Sequence, residues 1–136
     1  MKEFIKITGT VSFIGVQDGT NNILIDITEE QAKKVLGVCG DYSGYESTPI
    51  KIAKDGSYKF KAHSNFDIDV YDNNDESELA FNEIGKDSKV SIFATLKDGE
   101  FKRKKYITAY LKSVNILDYK EYVKYNPFED DSQEEI

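Results

Sequence analysis

Two neighbouring segments of this 136-residue chain put aromatic and basic side chains at alternate positions. Phe93 and Lys97 share one parity of the first segment, and Tyr106, Tyr110 and Lys112 share one parity of the second. Phe101, Lys102, Arg103, Lys104 and Lys105 crowd the connection between them. Alternate residues of an extended strand face the same way. If the two segments pair, flat rings and cations project together from one face of a sheet. That combination suits a single strand of nucleic acid, which offers base faces for stacking and a phosphate at every nucleotide. Each base–ring stack contributes about 1–3 kcal/mol, and each neutralised phosphate adds a salt-dependent term. Lys59 and Lys61 alternate with Tyr58 and Phe60; there the aromatics read as core and the lysines as further phosphate ligands. Tyr42 and Tyr45 lie in residues 37–49, a Gly-, Ser- and Tyr-rich stretch expected to be a loop that can close rings over a bound strand. The competing reading packs Phe93, Tyr106 and Tyr110 beneath other elements and leaves the lysines to solubility.

The net charge of −7 argues, taken whole, against a polyanionic partner. Its distribution argues the other way. Residues 86–112 hold eight bases against Asp87, Asp98 and Glu100, and residues 50–62 hold four lysines against Asp55. Residues 63–85 hold seven acids and no Lys or Arg. Local potential decides where a polyanion docks. The terminal stretch Asn126-Pro127-Phe128-Glu129-Asp130-Asp131-Ser132-Gln133-Glu134-Glu135-Ile136 is acidic, with no Lys or Arg. Such a tail can occupy a basic groove in place of nucleic acid. Once displaced, it can be offered to protein partners through Phe128, Glu129, Asp130, Asp131, Glu134, Glu135 and Ile136. Residues from Asn126 onward are expected to be disordered.

Other chemistries have thin support. The single cysteine, Cys39, excludes an internal disulfide, and the single histidine, His63, excludes a two-histidine zinc site. Asp72, Asn74, Glu76 and Glu83 fall at positions 1, 3, 5 and 12 of a calcium loop, but Ser77 stands where its sharp turn needs glycine. Asp67 and Asp69 share a strand face and are the only start of a two-metal nuclease site. No glycine-rich phosphate loop or nucleophile elbow occurs, so no catalytic residue, cofactor or metal is expected. No apolar run approaches the roughly 20 residues that span a bilayer, and Met1-Lys2-Glu3-Phe4 does not open a signal peptide. The expected setting is a reducing cytoplasm, without a membrane partner.

These residues must be positioned by strands. Ile5, Ile7, Val11 and Phe13 alternate with Lys6, Thr8, Thr10 and Ser12, giving a long half-buried strand with Gly9 and Gly15 as places to bend. A turn at Asp18-Gly19 leads into a second strand carrying Ile23, Ile25 and Ile27. Thr28-Glu29-Glu30-Gln31 is a capping box, so a short helix is expected to about Leu36, stopped by Gly37. Lys54-Asp55-Gly56-Ser57 predicts a hairpin, Phe66 to Tyr71 a further strand, and residues 76–84 a short helix. Val90, Ile92, Ala94 and Leu96 face inward on the next strand, and a turn is expected at Asp98-Gly99. Ile107, Ala109 and Leu111 face inward on the last strand; the parity then slips near Ser113, so a bulge is expected before Val114 and Ile116.

Short antiparallel strands with at most two short helices indicate a mainly β fold: a five-stranded OB-fold barrel with an added hairpin near residues 50–62. An edge strand can pair two such barrels into a homodimer. The stretch Val90-Ser91-Ile92-Phe93-Ala94-Thr95-Leu96, then Lys105-Tyr106-Ile107-Thr108-Ala109-Tyr110-Leu111-Lys112-Ser113-Val114-Asn115-Ile116-Leu117 with an acidic end, resembles bacteriophage single-stranded DNA-binding proteins. The resemblance implies an OB domain over residues 1–119 and a flexible acidic tail over 120–136. It implies coating and protection of single-stranded DNA in phage replication and recombination, within the host cytoplasm. It also implies tail contacts with replication or recombination proteins. Many members end in an aromatic residue, whereas this chain ends in Ile136 with Phe128 set back. The alternatives are a protein-interaction or virion structural module and, with less support, a metal-dependent nuclease.

Overall fold

Apolar alternation makes most of the chain strand. The structure, a computed structural model, describes residues 2–40 and 44–121; Tyr42 and the acidic terminal residues lie outside them. The described residues hold nine strands, in order: β1 (Lys2–Gln17), β2 (Thr20–Ile27), β3 (Tyr45–Ser47), β4 (Ile50–Ile52), β5 (Tyr58–Ser64), β6 (Asp69–Asp72), β7 (Asp75–Glu76), β8 (Lys89–Phe101) and β9 (Lys104–Asp118). Helix α1 (Glu29–Cys39) sits between β2 and β3, and a single 3-10 turn, Phe81–Glu83, precedes β8. Five strands close a ring: β1 pairs β2, β2 pairs β5, β5 touches β9, β9 pairs β8, and β8 returns to β1. The closure is a parallel contact between His63 and Tyr110. Inward residues of these five strands, among them Ile7, Ile25, Phe60, Leu96 and Leu111, form the buried core.

Much of the expected local structure is present. Thr28 caps α1, its Oγ1 accepting from Gln31 N–H at 3.2 Å, a bond worth about 1 kcal/mol. Gln31 does not complete the capping box; its Oε1 accepts from Thr8 N–H at 3.5 Å, while Lys34 Nζ donates to Lys6 O at 3.3 Å. These bonds cover an edge that sheet pairing leaves open, because β1 pairs β2 only from Thr10 onward. The helix outruns Leu36 because Val35 and Cys39 lie on one face and both reach the core. Its stop is Gly40, at φ 70°, rather than Gly37.

The third barrel strand is β5, not residues 66–71. Phe60 and Ala62 are fully buried opposite Ile25 and Ile23, and Lys59 stands opposite Asp26. Residues 66–71 would have brought Asp67 and Asp69 to that acidic position, and like charges across a pair destabilise it. Phe66 is instead 79% exposed, and only Asp69–Asp72 form strand, parallel to β9. The hairpin over residues 50–62 is therefore half barrel wall; only β4 is added. The helix expected over residues 76–84 is reduced to the 3-10 turn.

The β8–β9 turn lies at Lys102-Arg103, with φ of 51° and 66°, four residues beyond Asp98-Gly99. Register explains the shift. The observed turn sets Leu96 against Ala109 and Ala94 against Leu111, buried against buried. A turn at Asp98-Gly99 would set Ala94 against Arg103 and drive cations into the core. The bulge near Ser113 is present, with Lys112 as the extra residue between Phe93–Ser113 and Ala94–Leu111. In β1 the bulge falls at Ser12, between Val11 and Phe13, which turns Phe13 outward instead of into the core.

Gly9 sits where β1 passes from β8, which it pairs up to Thr10, to β2, which it pairs from Thr10 onward. A Cβ there would overlap the Asp26 carbonyl oxygen. Gly9→Ala is expected to cost about 1–3 kcal/mol of stability, read as a lower urea midpoint at unchanged slope.

Candidate nucleic-acid interface

The outer face of β1, β8 and β9 is a lattice of rows. Lys6 stands opposite Phe93, which stands opposite Ser113 with bulged Lys112 beside it. In the next row Phe4, Thr95 and Tyr110 lie side by side, and His63 of β5 continues it. Beyond it come Lys2, Lys97 and Thr108, then Gly99 and Tyr106. The expected outward parity of Phe93, Tyr106, Tyr110, Lys97 and Lys112 is therefore the observed one.

Tyr110, 37% exposed, is held on two sides. The His63 ring meets it edge-on, centroids 5.3 Å apart at 62°, and Lys97 Nζ lies 5.6 Å from its centroid. Phe93 is 40% exposed. Its ring lies 5.7 Å from that of Phe4 with the planes within 2°. Thr95, between Phe4 and Tyr110, is fully buried although it points outward, and its Oγ1 has no hydrogen-bond partner; neighbouring side chains close over it. Burial first, and then Lys61, holds the His63 imidazole below its ordinary pKa, which favours the neutral ring.

The remaining expected residues divide by environment. Phe101, Lys102, Arg103, Lys104 and Lys105 are all exposed at the hairpin tip. Lys102 Nζ lies 5.3 Å from the Phe101 ring, and Lys104 pairs with Glu46 at 3.8 Å. Tyr106 is half-buried beside β3, which pairs with β9 in parallel. Tyr45 is a strand residue rather than a loop residue; its ring packs on the core and its hydroxyl donates to Asp98 at 3.4 Å. Lys59 is ion-paired with Asp26 and donates to Ser12 Oγ at 3.3 Å, so its charge is already committed. Lys61 is exposed and lines two adjoining grooves, one with His63 and Thr108, the other with Phe13, Leu24 and Lys51.

Sequence reasoning passed over Phe4, Lys2, Lys6 and Phe13. Phe4 had a visible signal: it shares parity with Lys6, opposite to Ile5 and Ile7. Phe13 had none, since its direction depends on the Ser12 bulge. Among the described residues no group of three or more His, Cys, Asp or Glu is placed to hold a metal ion, and no helix is long and apolar enough to cross a membrane.

No protein-family model and no curated protein matches the chain. Solved structures do. A C-terminal truncation of the single-stranded DNA-binding protein from bacteriophage Enc34 superposes with a TM-score of 0.68 at 19% identity, over 88% of each chain. The Enc34 protein in complex with single-stranded DNA gives 0.67 at 18% identity, over 89% of each chain. The single-stranded DNA-binding protein gp2.5 of bacteriophage T7 gives 0.62 at 16% identity, over 100% of this chain and 96% of that one. With its closed five-strand ring, the chain thus has the OB-type barrel fold of phage single-stranded DNA-binding proteins.

Proposed function

We propose that this protein binds single-stranded DNA, coating and protecting it in phage replication and recombination, and that it acts by binding rather than catalysis. One observation carries the reading: Phe93 and Tyr110 stand open on a β-wall among Lys97, Lys112 and Lys61. Bases stack on Tyr110, Phe93, Tyr106 and Phe101. Lys97, Lys102, Arg103, Lys105, Lys112 and Lys61 face phosphates. OB barrels hold oligonucleotides across their second and third strands and between the loops joining strands 1–2 and 4–5. Here those parts are β2 and β5, the Asp18-Gly19 turn and the Lys102-Arg103 tip. The Phe13, Leu24, Lys51 and Lys61 groove extends the lane on that side. The acidic residues from Glu129 to Glu135 compete for the same cations, and the tail contacts replication or recombination proteins once DNA displaces it.

The test is a fluorescence-anisotropy titration of oligothymidylate and of duplex DNA at two salt concentrations, with the full chain and with residues 126–136 deleted. The expected result is a preference for the single strand, affinity falling linearly in log–log with salt, and tighter binding after the deletion. An absence of binding at low salt, even without the tail, overturns the reading.

A further inference from the structure

We propose that Lys2, Phe4 and Lys6, with Phe93, form a second nucleic-acid subsite, occupied by the continuation of the strand that stacks on Tyr110. The inference rests on the proposed single-stranded DNA binding and adds a direction to it. A lone exposed phenylalanine carries little meaning. Phe4 is not alone. It is 59% exposed and stacked parallel to Phe93 across a strand boundary, and Lys2 Nζ lies 5.9 Å from its ring. Lys6 stands directly opposite Phe93. The platform joins the Tyr110 lane without a break, because Thr95 between Phe4 and Tyr110 is fully covered. Two strand spacings, about 10 Å, separate Tyr110 from Phe4.

Charge bounds the path. At the Phe93 end of the face, β6 pairs Ser113 to Ile116 of β9, and Asp69, Asp72, Asp75 and Glu76 of β6 and β7 are all exposed and repel phosphate. Tyr110 itself lies between β5, with His63, and β8. A strand that leaves Tyr110 on the β8 side passes over Lys97, Lys2 and Lys6. Rings with cations beside them are what a base and its phosphate need.

The test compares oligothymidylates of about three and about 24 nucleotides, lengths chosen below and above the roughly 4–16 nucleotides that one OB barrel covers. Wild type is expected to bind the long strand more tightly than its extra binding registers alone allow. Phe4→Ala is expected to weaken binding of the long strand about 5- to 150-fold and to leave the short one unchanged. Lys6→Gln is expected to shallow the salt slope for the long strand by about 0.7. A loss in Phe4→Ala that is equal on both lengths, or absent on both, overturns the subsite, as does a change in sedimentation showing that Phe4 joins two copies of the chain. A thermal melt confirms that the variant folds. If wild type binds the short strand and Phe4→Ala binds both lengths like wild type, only this subsite falls. If wild type binds neither, the broader function falls with it.

Discussion

The Tyr110→Ala protein is expected to bind oligothymidylate about 5- to 150-fold more weakly than wild type, the loss of one base–ring stack of about 1–3 kcal/mol. Tyr110 is the residue to choose because its ring is open yet fixed. His63 makes a T-shaped contact with it, Lys97 lies over it, and its backbone sits at the contact that closes the barrel. A ring already held in place loses little rotamer freedom when a base stacks on it, so more of the stacking energy appears as affinity. Tyr106, half-buried beside β3, should lose less. Tyr110→Phe keeps the face and should bind nearly as wild type, which separates the ring from its hydroxyl. The salt slope should not move in Tyr110→Ala, because no charge is removed, whereas Lys97→Gln should shallow it. Wild-type affinity in a folded Tyr110→Ala protein would place the bases elsewhere.

Phe60→Ala is expected to cost about 3–5 kcal/mol of stability, the usual loss for a large aromatic truncated in a core. Domains of this size hold about 5–15 kcal/mol in total, so the variant stands near unfolding. Phe60 is fully buried and is the aromatic of the third barrel strand, opposite Ile25 on one side and Ile50 on the other. Nothing small can refill its place without moving two strand pairings. Phe66→Ala, on the neighbouring stretch, should stay within about 0.5 kcal/mol, because that ring is already in solvent. Urea midpoints for the two variants decide between the two stretches as barrel wall; a large loss at Phe66 with a small one at Phe60 would refute the β2–β5 pairing.

What could be read from the sequence was what local chemistry decides. Thr28 capping a helix, the Asp18-Gly19 turn, the inward parity of Val90 to Leu96 and of Ile107 to Leu111, and the slip at Lys112 all follow from a few adjacent residues. The errors share a different cause. Asp98-Gly99 is a good turn sequence, yet the hairpin turns at Lys102-Arg103 because only that register matches core to core. Residues 66–71 alternate as well as residues 58–64, and the choice between them fell to Asp26 on another strand. Phe13 changed face through a bulge. For the interface, the sheet face of β8 and β9 was legible, but the contribution of β1 was not. Phe4 becomes a neighbour of Phe93 only through a pairing between residues nearly ninety positions apart.

The hairpin tip has a consequence of its own. Two-residue turns of this kind favour asparagine and glycine, and a bulky residue at positive φ is strained. Lys102 and Arg103 both hold that conformation. The most accessible route to a sturdier barrel is therefore to give the tip ordinary turn residues, and that route removes two positive charges at once. Selection for thermal robustness alone would erode this end of the molecule first, so the persistence of a lysine–arginine tip through such selection would itself report a demand placed on it from outside the fold.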